Sequence, residues 1–117
     1  MALFNFKKRE DVGVKPVDPK VEAFLQDYSI EVMPRTAEKV EDFRDLLPAG
    51  TRVYTAHIEG TPIDDMVATA KRLATDGYKV MPHFPARIIR DRAMLADWIA
   101  RYQGEAGVDQ ALLLAGG

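Results

Sequence analysis

Four short apolar runs recur along this chain at intervals of roughly 20 to 30 residues, with a helical pattern between each pair. They are residues 28–33 (YSIEVM), 51–58 (TRVYTAHI), 78–84 (YKVMPHF) and 108–117 (VDQALLLAGG). In the first, Tyr28, Ile30 and Val32 alternate with Ser29, Glu31 and Met33, and Pro34 stops the run. That is strand periodicity. The last is wholly apolar over 111–115 and ends in two glycines, as a buried parallel strand does where backbone must approach a ligand.

The intervening segments carry helical spacing. Val21, Phe24 and Leu25 predict a short helix from Pro19 onward. Thr36 reads as the N-cap of a helix over 37–47, with Glu38 and Glu41 near its positive end and Val40, Phe43 and Leu47 inward. Thr61 and Pro62 start the next helix, where Ile63, Met66, Val67, Ala70 and Leu73 recur at three- and four-residue steps before Gly77. A further helix over 91–107 has Met94, Leu95, Trp98, Ile99 and Tyr102 as its apolar face.

Strand–helix alternation of this kind belongs to parallel α/β folds. Right-handed crossovers place the helices on one face of a barrel or on both faces of an open sheet, and periodicity does not choose between them. A complete (β/α)8 barrel takes about 250 residues. Four units in 117 residues are about half of that, so the expected fold is a partial TIM barrel over residues 19–117, preceded by an exposed lead-in over 1–18. Its outer strands would be apolar edges, a pairing liability.

Composition narrows the chemistry. A net charge of -2 argues against nucleic acid or an anionic membrane as the main partner. The absence of cysteine removes disulfides, thiolate metal sites and cysteine nucleophiles, and two histidines, His57 and His83, are too few for a histidine-rich metal cage. No apolar stretch approaches the roughly 20 residues that span a bilayer, and the start does not resemble a secretory signal. The expectation is a cytoplasmic protein.

Glu31 interrupts an apolar strand, so its carboxylate is either turned to solvent beside a lysine or arginine, or held in a site. In a barrel lumen, burial would favour its protonated form and make it a proton donor. His83 ends the third run between Pro82 and Pro85, where loops build sites, although a structural histidine in a stiff turn fits equally. Thr55 and His57 end the second run similarly, and the bland capping role is open for both. Arg87, Arg90 and Arg92 could receive an anion or simply be solvated, and Gly116 and Gly117 permit close approach without a recognised nucleotide motif.

Taken together, SIEVMPR, RVYTAHIEG, YKVMPHFPAR and ALLLAGG resemble the amino-terminal half of the methylenetetrahydrofolate reductase family, over residues 28–117. The resemblance implies an eight-stranded barrel with noncovalent FAD, reduced by NAD(P)H, that passes hydride to 5,10-methylenetetrahydrofolate and yields 5-methyltetrahydrofolate. It implies Glu31 as the acid that helps open the folate's five-membered ring. It implies Thr55 and His83 as flavin contacts, and Gly116 at the flavin-binding end of the fourth strand. The family's aromatic residues and proline pair are replaced here by Val32, Met33, Pro34 and Arg35, and Gly116 stands where well-known members have arginine. The aspartate expected next would follow Gly117, so the 117-residue chain is expected not to turn over unaided. Two alternatives stand beside this expectation. One is a reductase-like folate-binding protein in one-carbon transfer or demethylation; the other is a half-barrel that pairs with itself or another half and binds a small ligand. A homo-oligomer is compatible with each.

Overall fold

A computed structural model describes residues 16–116; most of the predicted lead-in, residues 1–15, and Gly117 lie outside the described residues. Residues 16–18 are exposed, as expected of a lead-in. The elements follow as α1 (Pro19–Phe24), β1 (Ser29–Val32), α2 (Pro34–Ala37), β2 (Arg52–Thr55), α3 (Ile63–Thr75), β3 (Lys79–Pro85), α4 (Arg92–Ala106) and β4 (Leu112–Leu114). Short 3-10 turns occupy Phe43–Asp45 and Ala86–Ile88.

The four strands form one parallel sheet in the order β1-β2-β3-β4. Strand alternation sorts its side chains. Val53, Val80 and Phe84 face one way and join Met66, Val67, Ala70 and Leu73 of α3 and Trp98, Tyr102 and Ala106 of α4 in a single core. The other face carries Tyr54, Met81, Leu112 and Leu114, half-buried, with Arg52 and Lys79 exposed at its base. Both long helices therefore cover the same side of the sheet.

Local chemistry explains the helix limits. The Asp91 side chain accepts from Met94 N–H at 2.8 Å and caps α4, which ends at Gly107 in the left-handed region at φ 66°. Gly77, at φ 95°, turns the chain out of α3 in the same way. The stripe predicted for α3 is buried or half-buried throughout. On α4 it rotates slightly, because Ile99 is 41% exposed and Ala106 takes an inward position instead.

The helix predicted over 37–47 does not form. α2 spans only Pro34–Ala37, and a 3-10 turn follows at Phe43–Asp45. Arg72 of α3 accounts for the break. Its guanidinium donates to the carbonyls of Ala37 at 2.8 Å and Val40 at 2.6 Å, which a continuous helix would keep for its own N–H groups. It also lies 4.8 Å from the Phe43 ring centroid. Asp42 then caps the restarted turn by accepting from Arg44 N–H at 2.9 Å. Thr36 is not an N-cap either. It sits at the third helical position behind Pro34, and its hydroxyl donates to the Met33 carbonyl at 3.1 Å.

Candidate functional site

Parallel strands present their carboxyl ends together, and two predicted residues meet there, Glu31 of β1 and His83 of β3. The register sets Glu31 beside Tyr54 and Tyr54 beside Met81, so Glu31, Tyr54 and Met81 share one row of the open face, with His83 two residues further along β3. Glu31 reaches over β2 to place Oε2 3.3 Å from His83 Nε2. The Tyr54 ring tilts toward the same imidazole, with centroids 6.2 Å apart. His83 is buried, with 9% of its side chain exposed, whereas the Glu31 side chain is 58% exposed. The lumen enclosure expected around Glu31 is thus not supplied by these four strands.

The two groups approach without an aligned hydrogen bond, so His83 Nε2 is buried without a hydrogen-bond partner among the described residues. A buried polar atom in that condition is costly unless something meets it. A flat conjugated ring suits this surface. It would find half-buried Tyr54, Met81, Leu112 and Leu114 for contact and His83 Nε2 as one polar atom to engage. The residues present on the open face therefore fit a flavin.

Thr55 stands elsewhere. It is fully buried in β2 on the helix-covered side with Val53, and its Oγ1 has no hydrogen-bond partner among the described residues. The structure does not bring its hydroxyl to Glu31 and His83. Gly116 lies two residues beyond β4 and is exposed, and a Cβ built there would meet nothing within 4 Å. No close backbone approach among the described residues calls for glycine at that position. Arg87, Arg90 and Arg92 are exposed, and Arg90 lies 3.6 Å from the carboxylate of neighbouring Asp91.

His57 has a larger part than its sequence position suggested. It is 7% exposed and stacks on the Trp98 indole of α4, with centroids 4.8 Å apart and planes 28° from parallel. Its Nε2 lies 3.0 Å from the Thr61 carbonyl, which closes the loop between β2 and α3. Burial, working against that hydrogen bond, lowers its proton affinity below the usual histidine value, and His83 adds a smaller push the same way. Alternation could have found it, because Val53, Thr55 and His57 fall on one side of the strand and its extension.

The loop from Ile58 to Pro62 faces Met33, Pro34, Arg35 and Glu38 across an open cleft beside the sheet's carboxyl end. A second surface cavity lies at the opposite end, among Glu22, Asp27, Gly50, Arg52 and Lys79, and contains none of the predicted site residues. Among the described residues, no group of three or more His, Asp or Glu side chains is placed to hold a metal ion, and no helix is long and apolar enough to cross a membrane. Compared with known protein families, the chain matches no family model.

Proposed function

We propose that this chain is the first half of a (β/α)8 barrel in a flavin-dependent oxidoreductase that reduces 5,10-methylenetetrahydrofolate to 5-methyltetrahydrofolate with NAD(P)H. The observation that carries the reading is the meeting of Glu31 and His83 at the carboxyl end of a parallel sheet, on the face opposite α3 and α4. Catalytic groups of such barrels collect at that end. Sequential strand order without a reversal, with α3 and α4 on one side, also supports a barrel wall over a doubly wound sheet.

FAD, when bound, would supply hydride transfer between the nicotinamide and the folate. The chain's own work is narrower. Glu31 is the group proposed to act on the folate's ring nitrogen, and its exposed side chain is open to a substrate arriving over the sheet. His83, buried beneath that carboxylate, offers Nε2 to the flavin. Tyr54 and Met81 form the apolar floor between them.

The test is flavin binding followed by turnover. FAD titrated into the chain should lose part of its fluorescence on binding, and replacing His83 with alanine should weaken binding about tenfold. In the protein containing a complete barrel, anaerobic NAD(P)H oxidation should depend on methylenetetrahydrofolate. Flavin binding without that oxidation would favour the folate-binding alternative.

The sheet edges favour a second reading, a half-barrel that pairs with another half. Leu113 of β4 is 77% exposed, and Ile30 of β1 and Phe24 of α1 are exposed at the opposite edge. A concentration-dependent dimer in sedimentation would support it.

A further inference from the structure

We propose that His57 is a pH-operated clamp that holds the β2–α3 loop closed against α4 while neutral and releases it when protonated. The inference is independent of the folate reading, since it uses only the loop, the helix and the imidazole between them.

The clamp has two points of attachment. One is the stack of the imidazole on Trp98, at 4.8 Å and 28°. The other is the 3.0 Å contact of Nε2 with the Thr61 carbonyl. A carbonyl only accepts, so Nε2 carries the proton and the neutral ring is the Nε2–H tautomer. Nδ1 is then a bare lone pair, and it is buried with no partner. Protonation would therefore place N–H and positive charge at an atom that nothing in the described structure receives.

The surroundings offer that charge no compensation. From α4 the ring meets the neutral indole of Trp98. From β3 it faces His83, whose influence also disfavours charge on the His57 ring. The carboxylate of Glu31 on β1 is turned to His83. Glu59 in the loop itself is exposed. Burial is the largest influence, and it favours the neutral ring.

The loop is also poised to move. Between its closing contacts lie Ile58, Glu59 and Gly60, all exposed, with Gly60 at φ 96° and the Thr61 N–H donating to the Ile58 carbonyl at 2.9 Å. It forms one wall of the cleft against Met33, Pro34, Arg35 and Glu38. Releasing the His57 end would widen that cleft at the carboxyl end of β1 and β2. Acidification would thereby change access to the sheet's open face without unfolding the core.

Trp98 is the one tryptophan in the sequence, so its emission reports the stack directly. The chain is titrated from about pH 8 to about pH 5 while far-ultraviolet circular dichroism confirms that it stays folded. The proposal expects a red shift in Trp98 emission and a rise of about twofold or more in iodide quenching. The midpoint should lie below the usual histidine value. The transition should vanish in His57→Gln, whose amide can still donate to Thr61 but cannot titrate, and persist in His83→Gln. A flat titration overturns the proposal, as does a transition that disappears only in His83→Gln. Quenching without a red shift overturns the release, because the charged ring would still be stacked. Should His57→Gln fail to fold, nitrogen-15 spectra of the wild-type imidazoles decide the question, since an Nδ1–H tautomer for His57 at neutral pH overturns the clamp.

Discussion

Glu31 and His83 touch across an intervening strand: the carboxylate of β1 spans β2 to come within 3.3 Å of the β3 imidazole. One partner is mostly in solvent and the other mostly buried, so the contact orients the Glu31 side chain more than it holds the sheet together.

Replacing Glu31 with glutamine should therefore leave stability nearly unchanged, within about 1 kcal/mol in urea denaturation, as for other pairs with one exposed partner. If Glu31 supplies the proton, turnover in the complete barrel should fall about 100- to 10,000-fold with FAD retained. Undiminished turnover would remove the acid assignment.

Arg72→Ala should be costly. It strips donors from the buried carbonyl region of Ala37 and Val40 and removes the cation from the Phe43 ring. A loss of about 2–4 kcal/mol is expected, since charged hydrogen bonds of this kind each contribute about 1.5–3. Arg72→Lys should recover only part, because one ammonium cannot span both carbonyls. Urea midpoints of the three proteins provide the measurement.

Stability should fall with acid through His57. Its folded-state proton affinity is lowered by burial, so between the ordinary histidine value and the lower folded one the unfolded chain binds more protons. Stability is then fully present above the ordinary value, declines as pH drops below it, and stops declining beneath the folded value. Urea midpoints between about pH 7 and about pH 5 should trace this decline, and His57→Gln should flatten it.

Tyr102→Phe should be neutral or stabilising by up to about 1 kcal/mol, because the removed hydroxyl is buried without a partner among the described residues. Burial also raises the phenol's affinity for its proton, so the hydroxyl stays neutral across the ordinary pH range. Trp98→Ala, from the same cluster, should instead cost about 3–5 kcal/mol through the cavity it leaves. Thermal melts of both variants distinguish the two cases.

Leu113→Lys should leave the fold's stability within about 0.5 kcal/mol, since the side chain is 77% exposed. It should sharply reduce self-association, as a charge on a parallel edge strand discourages pairing. Sedimentation across a concentration series reads this directly.

The parts legible from residues alone were those with local causes. α3 and α4 carry their own stripes and stops, and four apolar runs marked the strands in order. The break after Ala37 was not legible, because its cause is an arginine 35 residues further along the chain that competes for helix carbonyls. The same holds for Glu31 and His83. Each stood out as a residue, but their meeting depends on parallel register across β2, which strand periodicity does not specify. Thr55 was placed at the correct strand end and faces the helices, a matter of one step in the alternation. His57 stood out at the end of the second run, and alternation gives its side, but its stack on Trp98 depends on how α4 packs, which the local pattern does not specify.

The strand order has a consequence for how the chain is made. Each strand pairs with the one synthesised just before it, so no described strand waits for a distant partner to emerge from the ribosome. The sheet can grow by accretion at one margin, with α3 and then α4 sealing each addition as it arrives. Until something caps it, the newest margin is also the stickiest surface on the nascent protein.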